Sequence, residues 1–244
     1  VENCAINADT DAKNCAILAA ENDGTILNCE IKNSVLSLKN VANAGLAAAV
    51  NAGTISGTNV TGTQSNVSGA SAVSHTIAAN GTVGAVAGLN SGKITGVSAI
   101  NVGEFIDSSL SGKTVYGGIA GTNSGSISNS FASGNVTGGK ADNFVGGLAG
   151  RAEKNAKFVN NYVLVALKCS ASGNGLVGTG ATAHMLSECY WSSAVSGRAS
   201  SVTNYGTDIN DIDTLRFKTV KVGETVSVSK SCLLYTSPSP RDTE

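Results

Sequence analysis

Residues able to do chemistry are few in this chain, and they do not converge. His75 and His184 are the only histidines, and neither stands in the H-E-x-x-H spacing that sets two imidazoles around zinc on one helical face. The run TDINDID gathers Asp208, Asn210, Asp211 and Asp213, an oxygen-rich set of the kind hard cations such as calcium prefer. It lacks the central glycine and closing glutamate of a calcium loop, so a solvated turn or helix cap is expected. Paired carboxylates for glycoside hydrolysis must flank one sugar bond, and Asp23, Glu104, Asp107 and Glu153 do not fall in one column. With Cys232 of the C-terminal string CLLYTSPSPRD set aside, Cys4, Cys15, Cys29, Cys169 and Cys189 form no CxxC pair and are odd in number, which makes small buried thiols the expectation. Asn59, Asn66, Asn80 and Asn135 open glycosylation sequons, which chance and corner geometry explain in a chain so rich in Asn, Ser and Thr. No catalytic residue, metal ligand or cofactor is assigned.

The elements that would have to position such residues are themselves unusual. The chain has 244 residues, room for one large domain or two small ones. Only 14% are charged and 5% aromatic, while glycine numbers 30 and proline 2. Few large side chains exclude a thick globular core, yet 41% hydrophobic content is too much for disorder. A thin, regular structure is implied. Net charge is -1 with scattered Lys and Arg, against a nucleic-acid partner, which needs a concentrated basic face. No run of 18 apolar residues occurs, so no membrane span is expected.

Self-similarity supplies the regularity. LAAENDGTI from Leu18, AAAVNAGTI from Ala47, VAGLNSGKI from Val86 and IAGTNSGSI from Ile119 share small residues, then Asn, Gly and Ile at fixed offsets. A degenerate copy, LAGRAEKNAKF, starts at Leu148, and a sixth closes the array. The columns are Asn22, Asn51, Asn90 and Asn123; Gly24, Gly53, Gly92 and Gly125; and Ile26, Ile55, Ile94, Ile127, Phe158 and Leu186, stepping by 28 to 39 residues. Asn28, Asn129, Asn160 and Glu188 align further on, with Cys29, Ser130, Asn161 and Cys189 next, then Phe131, Tyr162 and Tyr190.

A chain that coils so that each turn lies on the last, about 4.8 Å apart, places equivalent residues in files. Ile on Ile makes an apolar rod, and Asn on Asn shares amide hydrogen bonds up the stack. The expected fold is therefore all-β: a parallel β-helix, or β-solenoid, of about six coils. It is taken as right-handed on the general preference for right-handed crossovers between parallel strands. About three strands per coil are expected, at 115–121, 126–132 and 135–138 in the fourth, with Ile127 and Phe131 both inside. Glycine after Asn is expected to serve a corner of positive φ.

Residues 115–138, VYGGIAGTNSGSISNSFASGNVTG, closely resemble the GLUG motif, whose copies read G-G-L-V-G-x-N-x-G-x-I-x-N-S-Y-A. NFVGGLAG at 143–150 and the closing CYW fit it too, while the copies at Leu18 and Ala47 replace the paired glycines with Ala and larger residues. The resemblance spans about residues 14–191. It implies a bacterial secreted or cell-surface protein, since such repeats occur in adhesin-like proteins and in the non-catalytic parts of surface immunoglobulin-A peptidases.

Four segments are expected: repeats over 1–191 closed by Trp191 as a lid, a linker or cap over 192–214, the start of a further β module over 215–231, and 232–244. In the last, CLLYTSPSPRD back-translates codon for codon into a string resembling a transposon adapter from sequencing-library preparation, so 232–244 is set apart as no part of the native chain. Val1 is not Met, and a piece of a longer protein is expected. The expected role is a monomeric structural or adhesive module, a stalk or a surface for host glycans or proteins, located extracellularly or at the cell surface. The alternatives are the non-catalytic part of a surface peptidase or a carbohydrate-active β-helix enzyme.

Overall fold

The structure, a computed structural model, describes residues 1–8, 13–62, 73–106, 114–138, 144–169, 172–198, 206–208, 219–222 and 224–227. Recurrent glycine disfavours helix, and coiled parallel strands form instead, stacking into a β-solenoid. One sheet shows the stack most simply, because each of its six strands comes from a different coil. Ala19–Asn22, Ala48–Asn51, Ala87–Asn90, Ala120–Asn123, Ala149–Ala152 and Val177–Thr179 lie side by side in that order, all parallel. We call these the ladder strands.

Each ladder strand is preceded by a two-residue corner and, before it, either a short strand such as Val115–Gly117 or the end of a long one, Val35–Gly45 or Val73–Gly84. A second corner leads to the isoleucine strands Thr25–Leu27, Thr54–Ser56, Lys93–Thr95 and Ser126–Ser128, continued by the first residues of Lys157–Cys169 and Leu186–Trp191. A third corner opens the return strands, beginning at Glu30–Lys32, Asn59–Thr61, Ser98–Ile106 and Phe131–Gly138. Each coil thus carries at least four strands rather than three. The expected strand at 115–121 is split at Gly118 and Ile119, and the one at 126–132 is split at Asn129 and Ser130. The second split overturns the placement of Ile127 and Phe131 on one strand face. Ile127 is fully buried, whereas Phe131 lies beyond the corner and is half-exposed.

Two glycine positions of the motif, those of Gly117 and Gly150, follow from how closely two of these sheets approach. A methyl group on Gly117 would lie 2.7 Å from Ala149 Cα, and one on Gly150 would lie 2.6 Å from Tyr116 N. Backbone rests on backbone here, which only a residue without Cβ permits. The rest of the core is thin: Ala, Val and Ile fill it, with Tyr116, Phe158 and Trp191 the largest fully buried side chains.

Trp191 packs its ring on Gly175, where a Cβ would overlap it, and stands in register with Val163. It is not the last layer, because Thr207–Asp208 adds a strand over Tyr190 and Trp191. A short helix, Ser193–Ser196, follows, with Ser192 Oγ accepting from Val195 N and Gly197 closing it in the left-handed conformation. Thr219–Val222 and Glu224–Ser227 form an antiparallel hairpin, as their alternating Val pattern predicts. Residues 232–244, with the adapter-like string, lie outside the described residues.

Candidate functional site

The asparagine column becomes a continuous ladder along the inside of one corner. Asn22 Nδ2 donates to Asn51 Oδ1, Asn51 Nδ2 to Asn90 Oδ1, and Asn90 Nδ2 to Asn123 Oδ1, each at 2.7 Å. Asn51, Asn90 and Asn123 are fully buried, and burial of an amide is tolerated only when it is hydrogen-bonded. Beside the ladder, Ile26, Ile55, Ile94, Ile127, Phe158 and Leu186 pair in one file. The ladder ends at Asn123 because Ala152 takes the next position.

Gly24, Gly53, Gly92 and Gly125 do stack at this corner, but for a reason the sequence did not disclose. None has positive φ. For Gly53, Gly92 and Gly125 the constraint is crowding: a methyl on Gly92 or Gly125 would sit 2.6 Å from a backbone carbonyl carbon of the coil before, Ala52 or Ser91 respectively. The left-handed residues occupy the next corner instead, where Asn28, Gly57, Gly96, Asn129, Asn160 and Glu188 all have φ between 50° and 60°. That φ turns the following residue inward, and a small polar side chain there returns to the carbonyl two residues back: Ser130 Oγ to Ser128 O at 2.8 Å, and Cys189 Sγ to Ser187 O at 3.4 Å. Cys29 makes the same contact with Leu27 O at 3.6 Å. These two thiols therefore fill a hydroxyl's place, while Cys15 is buried in the core and Cys169 has no described side chain. Burial raises the thiol pKa of both Cys15 and Cys189.

The outer face of the last coils carries a file of aromatic side chains. Phe131 stacks on Tyr162 with ring centroids 5.7 Å apart and planes 16° from parallel, and Tyr190 is next in register. Alongside, Asn160 Nδ2 donates to Asn129 Oδ1 at 2.7 Å, and Tyr190 OH donates to Glu188. Aromatic and amide groups side by side can meet both the apolar and the hydroxylated faces of a sugar, or a flat protein surface.

The candidate acids and imidazoles stay apart. Glu104 lies in the return strands, away from the other acids, whereas Asp23 and Glu153 share a column: each follows the last residue of a ladder strand, and Glu153 N donates to Asn123 O as Ala52 N does to Asn22 O. The fifth corner is longer by two residues, which hid the match. Four coils separate the two carboxylates, about 19 Å at the strand spacing, far beyond the 5–10 Å or so needed to act on one glycosidic bond. His184 is exposed in the turn Ala183–Met185, and the side chains of His75 and Glu104 are not among those described. Asp208 Oδ1 accepts from Ser193 N at 3.1 Å, a helix-cap role; Asn66, Asp107, Asn210, Asp211 and Asp213 lie outside the described residues. Among the described residues no three His, Cys, Asp or Glu side chains gather as a metal site, and no helix is long and apolar enough to cross a membrane. Comparison with protein families, with curated proteins and with solved structures gives no match.

Proposed function

We propose that this chain is a non-catalytic structural and adhesive repeat module of a bacterial secreted or cell-surface protein. The coil stack acts as a stalk, and the outer face with Phe131, Tyr162 and Tyr190 acts as the contact surface for host glycans or proteins. The observation that carries this reading is the unbroken file from Ile26 to Leu186 beside the Asn22 to Asn123 ladder. Such a file makes stability a sum of coil-on-coil interfaces, so length can grow or shrink by whole coils without a change of fold. The bacterial surface location rests on the resemblance of residues 115–138 to the GLUG motif.

Excision tests the stalk. Removing residues 87–119 joins Val86 to Ala120, the register partner of Ala87, and takes out one full coil. The shortened chain should fold with the same far-ultraviolet spectrum, and small-angle scattering should show its long dimension reduced by about 4.8 Å, one strand spacing. A chain that unfolds, or keeps its length, contradicts the stalk. Binding to a glycan array or to host matrix proteins that is lost in Phe131→Ala and Tyr162→Ala supports the contact face; glycan cleavage by the purified chain would replace it with an enzyme.

A further inference from the structure

The first coil differs from every later one in the partners its described residues find on one side. Among the described residues, Ala19–Asn22 and Thr25–Leu27 each have a strand partner on one side only, toward the second coil. The residues before them cover other strands: Ala5–Ala8 pairs with Val35–Leu38, and Glu2 bridges Lys32. What no described residue covers is a ledge formed by residues 18–26.

Four details of that ledge match what every later coil receives from the coil before it. Asn22 donates to Asn51, but no described group donates to Asn22 Oδ1, the position that Asn51, Asn90 and Asn123 fill with a neighbour's amide. Backbone N–H groups of Ala52 and Gly53 both donate to Asn22 O, and those of Ser91 and Gly92 to Asn51 O, whereas the N–H groups of Asp23 and Gly24 reach no described acceptor. Leu18 and Ile26 are partly exposed, where Val86, Ile119, Ile55, Ile94 and Ile127 are fully buried. Gly24 is the most telling. Its counterparts must be glycine because the preceding corner presses on them, yet a Cβ on Gly24 would have nothing within 4 Å, and its φ is not positive. Nothing within the described structure calls for a glycine there.

We propose that this ledge is a docking surface for one further coil of the same repeat chemistry. Its asparagine would donate its side-chain amide to Asn22 Oδ1 and accept from Asp23 N and Gly24 N through its backbone carbonyl. Its next corner would lie over Gly24, and its aliphatic residue over Ile26. The ladder's polarity selects this occupant over a second copy of the chain related by a two-fold axis, which would set one Asn22 acceptor against the other. The inference concerns the end of the stack and stands whether or not the outer face binds glycans.

The chain's own geometry supplies the probe. Glu2 occupies the file of Lys32, Thr61 and Ile100, so Val1 stands one position earlier, in the file of Ala132. Joining a copy of residues 115–131 directly ahead of Val1 therefore lays a short strand, a ladder strand and an isoleucine strand over the ledge. The extended chain should melt several degrees higher than the original, and the amides of Asp23 and Gly24 should gain protection from hydrogen exchange. Asn→Asp at the added ladder position should cancel both gains, because a carboxylate offers Asn22 no donor. Gly24→Ala should leave the unextended chain's melting temperature unchanged or slightly raised and cancel the gains in the extended one. A peptide of residues 115–131 added in trans gives an independent readout: protection of Asp23 and Gly24 in the native chain and none in Gly24→Ala. An added segment digested as fast as an unstructured tail, gains that survive both substitutions, or concentration-dependent dimerisation of the unextended chain abolished by Gly24→Ala would each overturn the proposal.

Discussion

Two corners of the same coil use asparagine and glycine in opposite ways. At the first, asparagine is buried and its side chain does the work, while glycine is needed for the space it leaves. At the second, the backbone does the work: asparagine and glycine alternate freely between coils, Asn28, Gly57, Gly96, Asn129, because both tolerate the left-handed conformation. Residue type alone therefore does not reveal a corner's demand. What differs is whether the neighbouring coil presses on the residue or the chain merely turns there.

Several substitutions would break or sharpen that contrast. The largest effect is expected for Asn90→Ala at the first corner, which leaves Asn123 Oδ1 and one N–H of the Asn51 amide without their buried ladder partner; at about 1–3 kcal/mol for each unsatisfied group, chemical denaturation should show a loss of roughly 2–6 kcal/mol. Gly125→Ala should come next, losing about 1–3 kcal/mol from forced displacement of the Ser91 backbone. The same change at Gly24, where no neighbour presses, should be neutral or gain about 0.4–1 kcal/mol, through a less flexible unfolded chain. At the second corner, Gly96→Ala should cost about 1–2 kcal/mol, while Gly96→Asn should cost little, since asparagine already serves at Asn129 and Asn160. Equal losses for Ala and Asn at Gly96 would show that crowding governs this corner as well.

The smallest effect concerns the buried thiol after the second corner. Desolvation raises the Cys189 pKa, so the folded chain holds that proton to higher pH than the unfolded chain does. Its contribution to stability is complete below the ordinary thiol range near pH 8.5 and should be lost as pH rises through and above it. Cys189→Ser, which keeps the contact to Ser187 O, should flatten the alkaline limb of the stability profile, measured by denaturation at a series of pH values.

The repeat was legible because stacking forces equivalent residues into files. The files of Ile55, Ile94 and Ile127 and of Asn51, Asn90 and Asn123 are the sequence columns. The aromatic file of Phe131, Tyr162 and Tyr190 was equally visible, though its placement outside was not. Strand boundaries were less so, because the run Gly117, Gly118, Ile119, Ala120 and Gly121 has no alternation of polar and apolar residues to mark a bend. The shared column of Asp23 and Glu153 escaped notice because the fifth corner carries two extra residues and lacks the asparagine that marks it.

The periodic spacing of Asn, Gly and Ile by itself determined a parallel stack with an internal amide ladder, since only a repeating coil sets residues 29 and 39 positions apart one strand-width from each other. Only the tertiary structure decided which glycines are squeezed and which are turned, which face the aromatics take, and that the first coil ends in a ledge no described residue covers. Those outcomes depend on what lies across each backbone from the next coil, and a sequence states a residue's identity without stating what presses on it.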